Sequence, residues 1–286
     1  MISRQPFIPA NKDELLEVLG KCEKFRLVAG GTDYMVSHGK TRLPDFDLID
    51  LSGISEFKGI NSFHDQLRVG ALETMSAVAG SPDLQAHAAC LCDAASKVGS
   101  WQIRSRATLG GNLANCSPAA DTPAALAALE AKVKLISPTG ERILPVEDIP
   151  LGPNRSALKP EEIVSEFHLP VKPGRVSAFV KLGSRSEVSI ARLNLAVSVL
   201  TDGRNISEAR VFMGTLGLAT LRCPKAETII SEQGFESDEG FGNALGEAIG
   251  EAIAGRGTMT YKQSAAKALA QDLLAIMRCR SAAGGN

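Results

Sequence analysis

The segment Leu27-Val28-Ala29-Gly30-Gly31-Thr32-Asp33-Tyr34 runs an apolar strand straight into two glycines, a hydroxyl and a carboxylate. Adjacent glycines admit backbone conformations closed to other residues. They also let successive N–H groups converge on one point, which makes a concave anion site. Thr32 adds a hydroxyl donor. No Gly-Lys-Ser/Thr follows, so the segment is not a P-loop, and it does not fit the G-x-G-x-x-G of a Rossmann site. An ordinary strand-to-loop turn has the same composition, and the motif alone does not choose between the two.

A second segment, Thr108-Leu109-Gly110-Gly111-Asn112-Leu113-Ala114-Asn115-Cys116-Ser117-Pro118-Ala119-Ala120-Asp121, again sets two glycines among small polar side chains. It carries no helical or strand period and reads as an irregular loop. Long loops inside compact domains are functional or disordered, and this one is too poor in charge for disorder. Asp121-Thr122-Pro123 closes it with a helix start signal. Asp is a preferred N-cap, so Asp121 has a structural reading beside a functional one. Two glycine turns in one chain point to a ligand with two phosphates and several hydroxyls, a dinucleotide.

The rest of the sequence limits the alternatives. At 286 residues the chain has room for one large or two moderate domains. Its 44% hydrophobic and 22% charged residues, with mean hydropathy near zero, are those of a globular protein. A net charge of −1 gives no field to recruit nucleic acid or an acidic membrane. Arg104 and Arg106 are too small a basic cluster to change that. The opening MISRQPFIPANKDELL lacks the apolar core of a secretory signal, and no run of apolar residues is long enough to span a bilayer. The expected location is therefore the cytoplasm, with the six cysteines as thiols. Cys90 and Cys92 form the single C-x-C, on a predicted helix where they face different ways. No spacing supports a metal or iron–sulfur site in this chain.

Apolar periodicity predicts three stretches. The first, to about residue 58, holds a helix at Lys12–Leu19 and strands at Arg26–Ala29 and Phe46–Leu51, with a turn at Pro44 and Asp45. The second, about 59–170, holds a strand at Gln66–Ala71, a helix at Leu84–Val98, a short helix at Ala124–Glu130, a hairpin of Lys132–Ser137 with Arg142–Pro145, and a closing strand at Glu162–Leu169. Pro170-Val171-Lys172-Pro173-Gly174 then reads as a stiff, exposed linker. Beyond it, 174–280 forms a smaller domain. Antiparallel strands are predicted at Ala178–Leu182, Asn194–Thr201 and Glu208–Met213, the last two joined by the Asp202–Asn205 turn, with helices at about 241–254 and 261–279. Residues 281–286 read as a frayed tail. Strands and helices mix without strict β-α-β alternation, so the class is α+β.

The ordered pair LVAGGTD (Leu27–Asp33) and TLGGNLANCSPAAD (Thr108–Asp121) resembles the FAD-binding subunits of the xanthine dehydrogenase and carbon monoxide dehydrogenase family of molybdenum hydroxylases. The likeness continues through ALKPEEIVSEFHLP (Ala157–Pro170), FVKLGSR (Phe179–Arg185), SIARLNLA (Ser189–Ala196) and Tyr261-Lys262. The resemblance implies an FAD domain of two α/β subdomains of the vanillyl-alcohol-oxidase type, about 1–58 and 59–170, followed by the α+β C-terminal domain. It implies that Leu27–Tyr34 wraps the FAD pyrophosphate and ribityl region. Thr108, Gly110, Gly111 and Asn112 then form a second backbone cradle, Asp121 reaches the cofactor, Val164 packs on it, and Lys181 approaches the isoalloxazine end. A fixed cation near a flavin favours the reduced ring; a solvated strand lysine is the alternative. Cys116 stands where a small residue is usual and reads as a small buried hydrophobe. The cysteine-bearing loop of the hydroxybenzoyl-CoA reductases has no counterpart.

The implied role is electron transfer: a small partner subunit supplies [2Fe-2S] clusters, a large one the molybdenum cofactor, and FAD passes electrons to NAD+ or another acceptor. Two alternatives stand beside it. A stand-alone flavoenzyme needs an acid or base near the flavin, and His38, His64, His87 and His168 lie in no motif that nominates one; His168 reads as a satisfied strand residue. A scaffold without cofactor has no reason to keep Gly30, Gly31, Gly110 and Gly111.

Overall fold

A computed structural model describes residues 6–38, 46–185, 188–203, 205–217 and 219–283, with the side chain of residue 38 excepted. The predicted turn at Pro44 and Asp45 and the end of the tail, 284–286, lie outside these residues, as does Arg204 of the Asp202–Asn205 turn.

The first stretch folds around a helix, Lys12–Lys21, whose start is fixed by Asn11: its side chain accepts the Glu14 N–H at 2.9 Å. Leu15 and Leu19, one turn apart, are its buried pair. They cover two parallel strands, Phe25–Val28 and Asp47–Asp50, which a bridge from Phe7 to Ile49 extends. Ile54 and Phe57 complete this core, and Leu72, Ile136 and Ile163 reach into it from the next stretch.

The second stretch is a five-stranded antiparallel sheet in the order Ile60–Phe63, Gln66–Gly70, Ile163–Pro170, Lys132–Ser137, Gly140–Pro145. The predicted closing strand is thus its centre. In it, His168 is satisfied by Glu166 at 2.6 Å. Short helices cover one face. The helix expected over Leu84–Val98 is two helices, Pro82–His87 and Ala89–Ser96, broken at Ala88. The break lets the Cys90 N–H donate to the Ser177 hydroxyl of the C-terminal sheet at 3.1 Å. It also buries Ala89–Ser96 on nearly every side: Cys90 faces the Ala125 carbonyl and Cys92 the Val78 carbonyl. Burial pushes both thiols up to about 12, so both remain thiols at neutral pH.

The third stretch is a four-stranded antiparallel sheet, Arg175–Leu182, Leu193–Thr201, Ile206–Gly214 and Leu221–Arg222, backed by helices Pro224–Gln233, Asp238–Ala252 and Met259–Ala283. The first of these helices has no counterpart in the periodicity of the sequence. Alternation along the strands sends Ala178, Val180, Val197 and Val211 to the helices, and Phe179, Ala196 and Phe212 to the core of the five-stranded sheet and its helices. The sheet is therefore covered on both faces. Segment Pro170–Gly174 does not behave as a free spacer: Lys172 pairs with Glu130 and Glu208, and the carbonyl of Gly174, a residue at φ +71°, accepts the Thr201 N–H at 3.0 Å.

One carboxylate clamps the two domains. Asp93, on the helix Ala89–Ser96, accepts both Arg280 Nη atoms at 2.7 and 2.8 Å and the Phe179 N–H at 3.2 Å. Replacing Asp93 with Ala strands a half-buried guanidinium and a strand N–H, which we expect to lower the unfolding free energy by about 2–4 kcal/mol. Urea denaturation measures this, and a loss below about 0.5 kcal/mol, within the range of ordinary surface changes, would show that the Asp93 clamp adds little to the hold between the domains.

Candidate functional site

At the end of strand Phe25–Val28 the chain reaches Gly30, where there is no room for a side chain. A Cβ there would lie 1.9 Å from the Arg106 carbonyl oxygen and 3.1 Å from the Ala107 Cα. The first glycine turn thus rests directly on the backbone that leads into the second. Gly31 follows at φ +73°, a conformation that glycine adopts without strain. The helix Thr32–His38, which sequence patterning does not show, starts at once, and its first bond runs from Met35 N–H to the Gly31 carbonyl. Among the described residues, the N–H groups of Gly31, Thr32 and Asp33 have no protein acceptor. They can donate to an anion.

The second turn is more ordered than its sequence suggests. Leu109–Ala114 is a helix capped by the Thr108 hydroxyl, which accepts the Gly111 N–H at 3.1 Å. The Leu109 and Gly110 N–H groups go to the Glu73 and Ala71 carbonyls, and that of Asn112 to the Thr108 carbonyl. The donors expected to cradle a ligand here are used inside the protein. What this turn offers instead is space. Gly110 packs against Ala71, whereas Gly111 is exposed, and a Cβ added to it would meet only the Thr108 hydroxyl within 4 Å. Glycines at helix positions hide the element, since they carry low propensity and no apolar period. Asn112 accepts the Thr122 hydroxyl at 2.7 Å, and Cys116 is buried at φ +48°.

Asp121 precedes the helix Thr122–Ala128 yet makes no side-chain capping bond. Its carboxylate turns to the C-terminal sheet and accepts Lys181 Nζ at 2.6 Å and Asn194 Nδ2 at 3.1 Å. Lys181 also donates to the Lys97 carbonyl at 2.9 Å. Lys181 is therefore a paired cation held in place, not a solvated strand lysine. Burial pushes the Asp121 carboxyl up, and Lys181 and Asn194 oppose that rise.

These elements enclose one cavity of about 750 Å³, within the roughly 300–1,000 Å³ of small-molecule and cofactor sites. Every residue selected from the sequence lines it, from Leu27–Tyr34 through Thr108, Gly110, Gly111 and Asn112 to Asp121, Val164 and Lys181. Residues not chosen from the sequence complete it, among them Ser100 and Ile103, which no motif marks, and Glu162 and Ile190, which lie within the matching segments Ala157–Pro170 and Ser189–Ala196. The free amides of the first turn, the bare face of Gly111 and the largely apolar walls fit a dinucleotide with an aromatic ring system.

Fold and site together define a dinucleotide-binding protein with a separate C-terminal α+β domain. Comparison with known proteins agrees. Residues 3–172 match the FAD binding domain in molybdopterin dehydrogenase, and 178–277 the CO dehydrogenase flavoprotein C-terminal domain. The chain is similar to a putative xanthine dehydrogenase FAD-binding subunit of Escherichia coli (strain K12), with 31% identity over 75% of this chain and 74% of that one. It is similar to the nicotinate dehydrogenase FAD-subunit of Eubacterium barkeri, with 31% identity over 71% of each. A solved carbon monoxide dehydrogenase from Hydrogenophaga pseudoflava superposes with a TM-score of 0.85 at 27% identity, over 98% of this chain and 99% of that one. The chain belongs to the family of FAD-binding subunits of molybdopterin dehydrogenases, and is an oxidoreductase subunit.

At the cavity edge, Glu162 accepts Arg142 Nε and Nη2, each at 2.7 Å, and the Lys159 N–H at 2.7 Å. Burial alone would raise its carboxyl, but Arg142 and the Lys159 N–H outweigh burial and hold it below its ordinary value. A carboxyl lowered by folding stabilises the protein above its unfolded-state value, and that stability is lost as pH falls through the folded value. Glu162→Gln should therefore melt below the wild type at pH 7, with the gap closing as the pH drops under the usual carboxylate range. Melting curves between pH 7 and 3 test this; a gap independent of pH would contradict it.

Proposed function

We propose that this chain is the electron-transfer flavoprotein subunit of a multi-subunit molybdenum hydroxylase. It receives electrons from [2Fe-2S] clusters of a small partner subunit and passes them to NAD+ or another acceptor, while a large partner holds the molybdenum cofactor and transforms the organic substrate. The observation that carries this reading is the convergence of both glycine turns and the Asp121–Lys181 pair on one cavity between the FAD-binding and C-terminal domains. Names of relatives support the division of labour: they are FAD-binding subunits, an FAD-subunit and medium chains. Among the described residues no helix is long and apolar enough to cross a membrane, and the cytoplasm is the proposed location.

Bound FAD supplies a carrier that takes up and releases electrons. The protein's part is to hold it. In this reading the N–H groups of Gly31, Thr32 and Asp33 take the pyrophosphate, and Ala29 and Gly30 bring the backbone close. The Leu109–Ala114 turn presents Gly111 as a wall without a side chain. Val164 packs against the ring system, and Lys181, fixed by Asp121, sets a cation at the cavity wall.

Direct oxidation of a small molecule by this chain is less well supported. Among the described residues no histidine lines the cavity, and its buried ionisable groups Asp121, Glu162 and Lys181 are all bonded to protein partners. A cofactor-free scaffold would have no need of the cavity or the free amides.

Gly111 offers the test. Leucine there projects into the cavity at the expense of the Thr108 cap alone, whereas alanine at Gly30 meets the Arg106 carbonyl. Gly111→Leu should weaken FAD binding by a factor of about 100 or more, the scale of a misfitted buried group, with melting within a few degrees of the wild type. Gly30→Ala should lose FAD and fold stability together. Unchanged FAD titration of Gly111→Leu would place the cofactor elsewhere.

A further inference from the structure

Three residues form a row across the C-terminal sheet: Lys181 is registered with Asn194, and Asn194 with Gly214. The row lies on the face that carries Phe179, Ala196 and Phe212 into the FAD-binding domain. Asn194 is wholly buried. Its Nδ2 donates to Asp121 Oδ1 at 3.1 Å and to the Ala120 carbonyl at 3.2 Å. Both partners are acceptors only, so the amide has one sensible orientation; turned over, it would set oxygen against oxygen.

That orientation has a cost. Asn194 Oδ1 is buried without a hydrogen-bond partner, a state that asks for an explanation. The oxygen sits where a Cβ on Gly214 would be 2.3 Å away, so Gly214 makes room for it. If position 194 served packing alone, an apolar side chain would avoid the orphaned oxygen. What the amide contributes is its donor end. With Oδ1 of Asp121 held by Asn194, Oδ2 is left to Lys181, which a second bond ties to the Lys97 carbonyl.

We propose that Asn194 is a positioning residue of the cofactor site: it clamps the Asp121 carboxylate, which in turn fixes the Lys181 ammonium at the cavity wall, with Gly214 as the space the clamp requires. The inference rests on reading the cavity as the FAD site. Without Asn194 the carboxylate is free to rotate and Lys181 loses its fixed partner. The cation at the wall is then anchored firmly only by the Lys97 carbonyl, its position loosens, and a reduced flavin is less favoured.

Asn194→Leu keeps the branched outline and removes the donor without adding charge. The test is a cycle of Asn194→Leu, Lys181→Met and the double variant in the full chain, read twice. On the flavin-free protein, Asn194→Leu should lower the melting temperature by roughly 3–10 °C. The losses of the two single variants should not add, because the residues act through one carboxylate. With FAD bound, Asn194→Leu should move the flavin midpoint potential downward, and should move it no further when Lys181 is already Met. A potential unchanged by Asn194→Leu, or shifted equally in both backgrounds, would overturn the proposal and leave Asn194 a packing residue. If the wild type takes up no flavin, the FAD reading fails on its own. The melting cycle still decides the clamp: additive losses would overturn it, and non-additive losses would uphold it.

Discussion

The close approach of Gly30 to the Arg106 carbonyl is the constraint on which the site depends. Two glycine turns far apart in the chain bound one cavity because the first lies on the backbone that leads into the second. Any side chain at Gly30 would separate them. The consequence runs both ways along the chain: Gly31 must turn through positive φ to start the helix at Thr32, and Gly110 must lie flat on Ala71 so that Gly111 faces the opening. The glycines thus do different work. Gly30 and Gly110 allow close packing, Gly31 allows a turn, and Gly111 leaves a bare face on the cavity.

The second support is electrostatic. Lys181 and Asp121 form a buried ion pair across the domain junction, with side-chain exposures of 7% and 4%. Such a pair adds little net stability, because desolvation offsets attraction, but breaking it leaves a buried charge at a cost of about 3–5 kcal/mol. Its value is positional: the C-terminal sheet closes the cavity with a held charge. The sheet itself is held by apolar residues on both faces and by Asp93, which binds the last helix and the strand that carries Lys181.

Much of this is legible in the sequence. Strands with clear alternation, such as Lys132–Ser137 and Leu193–Thr201, fall within a residue of where periodicity sets them, and the residues chosen for the cofactor all meet in one cavity. The misses have physical causes. The Leu109–Ala114 helix is hidden by its glycines, and the helix Thr32–His38 by following a glycine pair that reads as a turn. The long helix expected over Leu84–Val98 breaks at Ala88, where the Cys90 N–H meets Ser177 of the C-terminal sheet, a tertiary contact with no local signature. Asp121 carries a strong N-cap signal and serves instead as the partner of Lys181 and Asn194. In the cradle, donors expected from Gly110 and Asn112 are bonded within the protein, so this turn contributes shape where charge recognition was expected.

Whether the cavity between the glycine turns holds FAD is decided by purifying the chain, denaturing it and identifying the released flavin by chromatography. FAD, and no other flavin, is expected at about one per chain. A chain that carries no flavin, and takes none up when FAD is added to the folded protein, would contradict the assignment of the cavity.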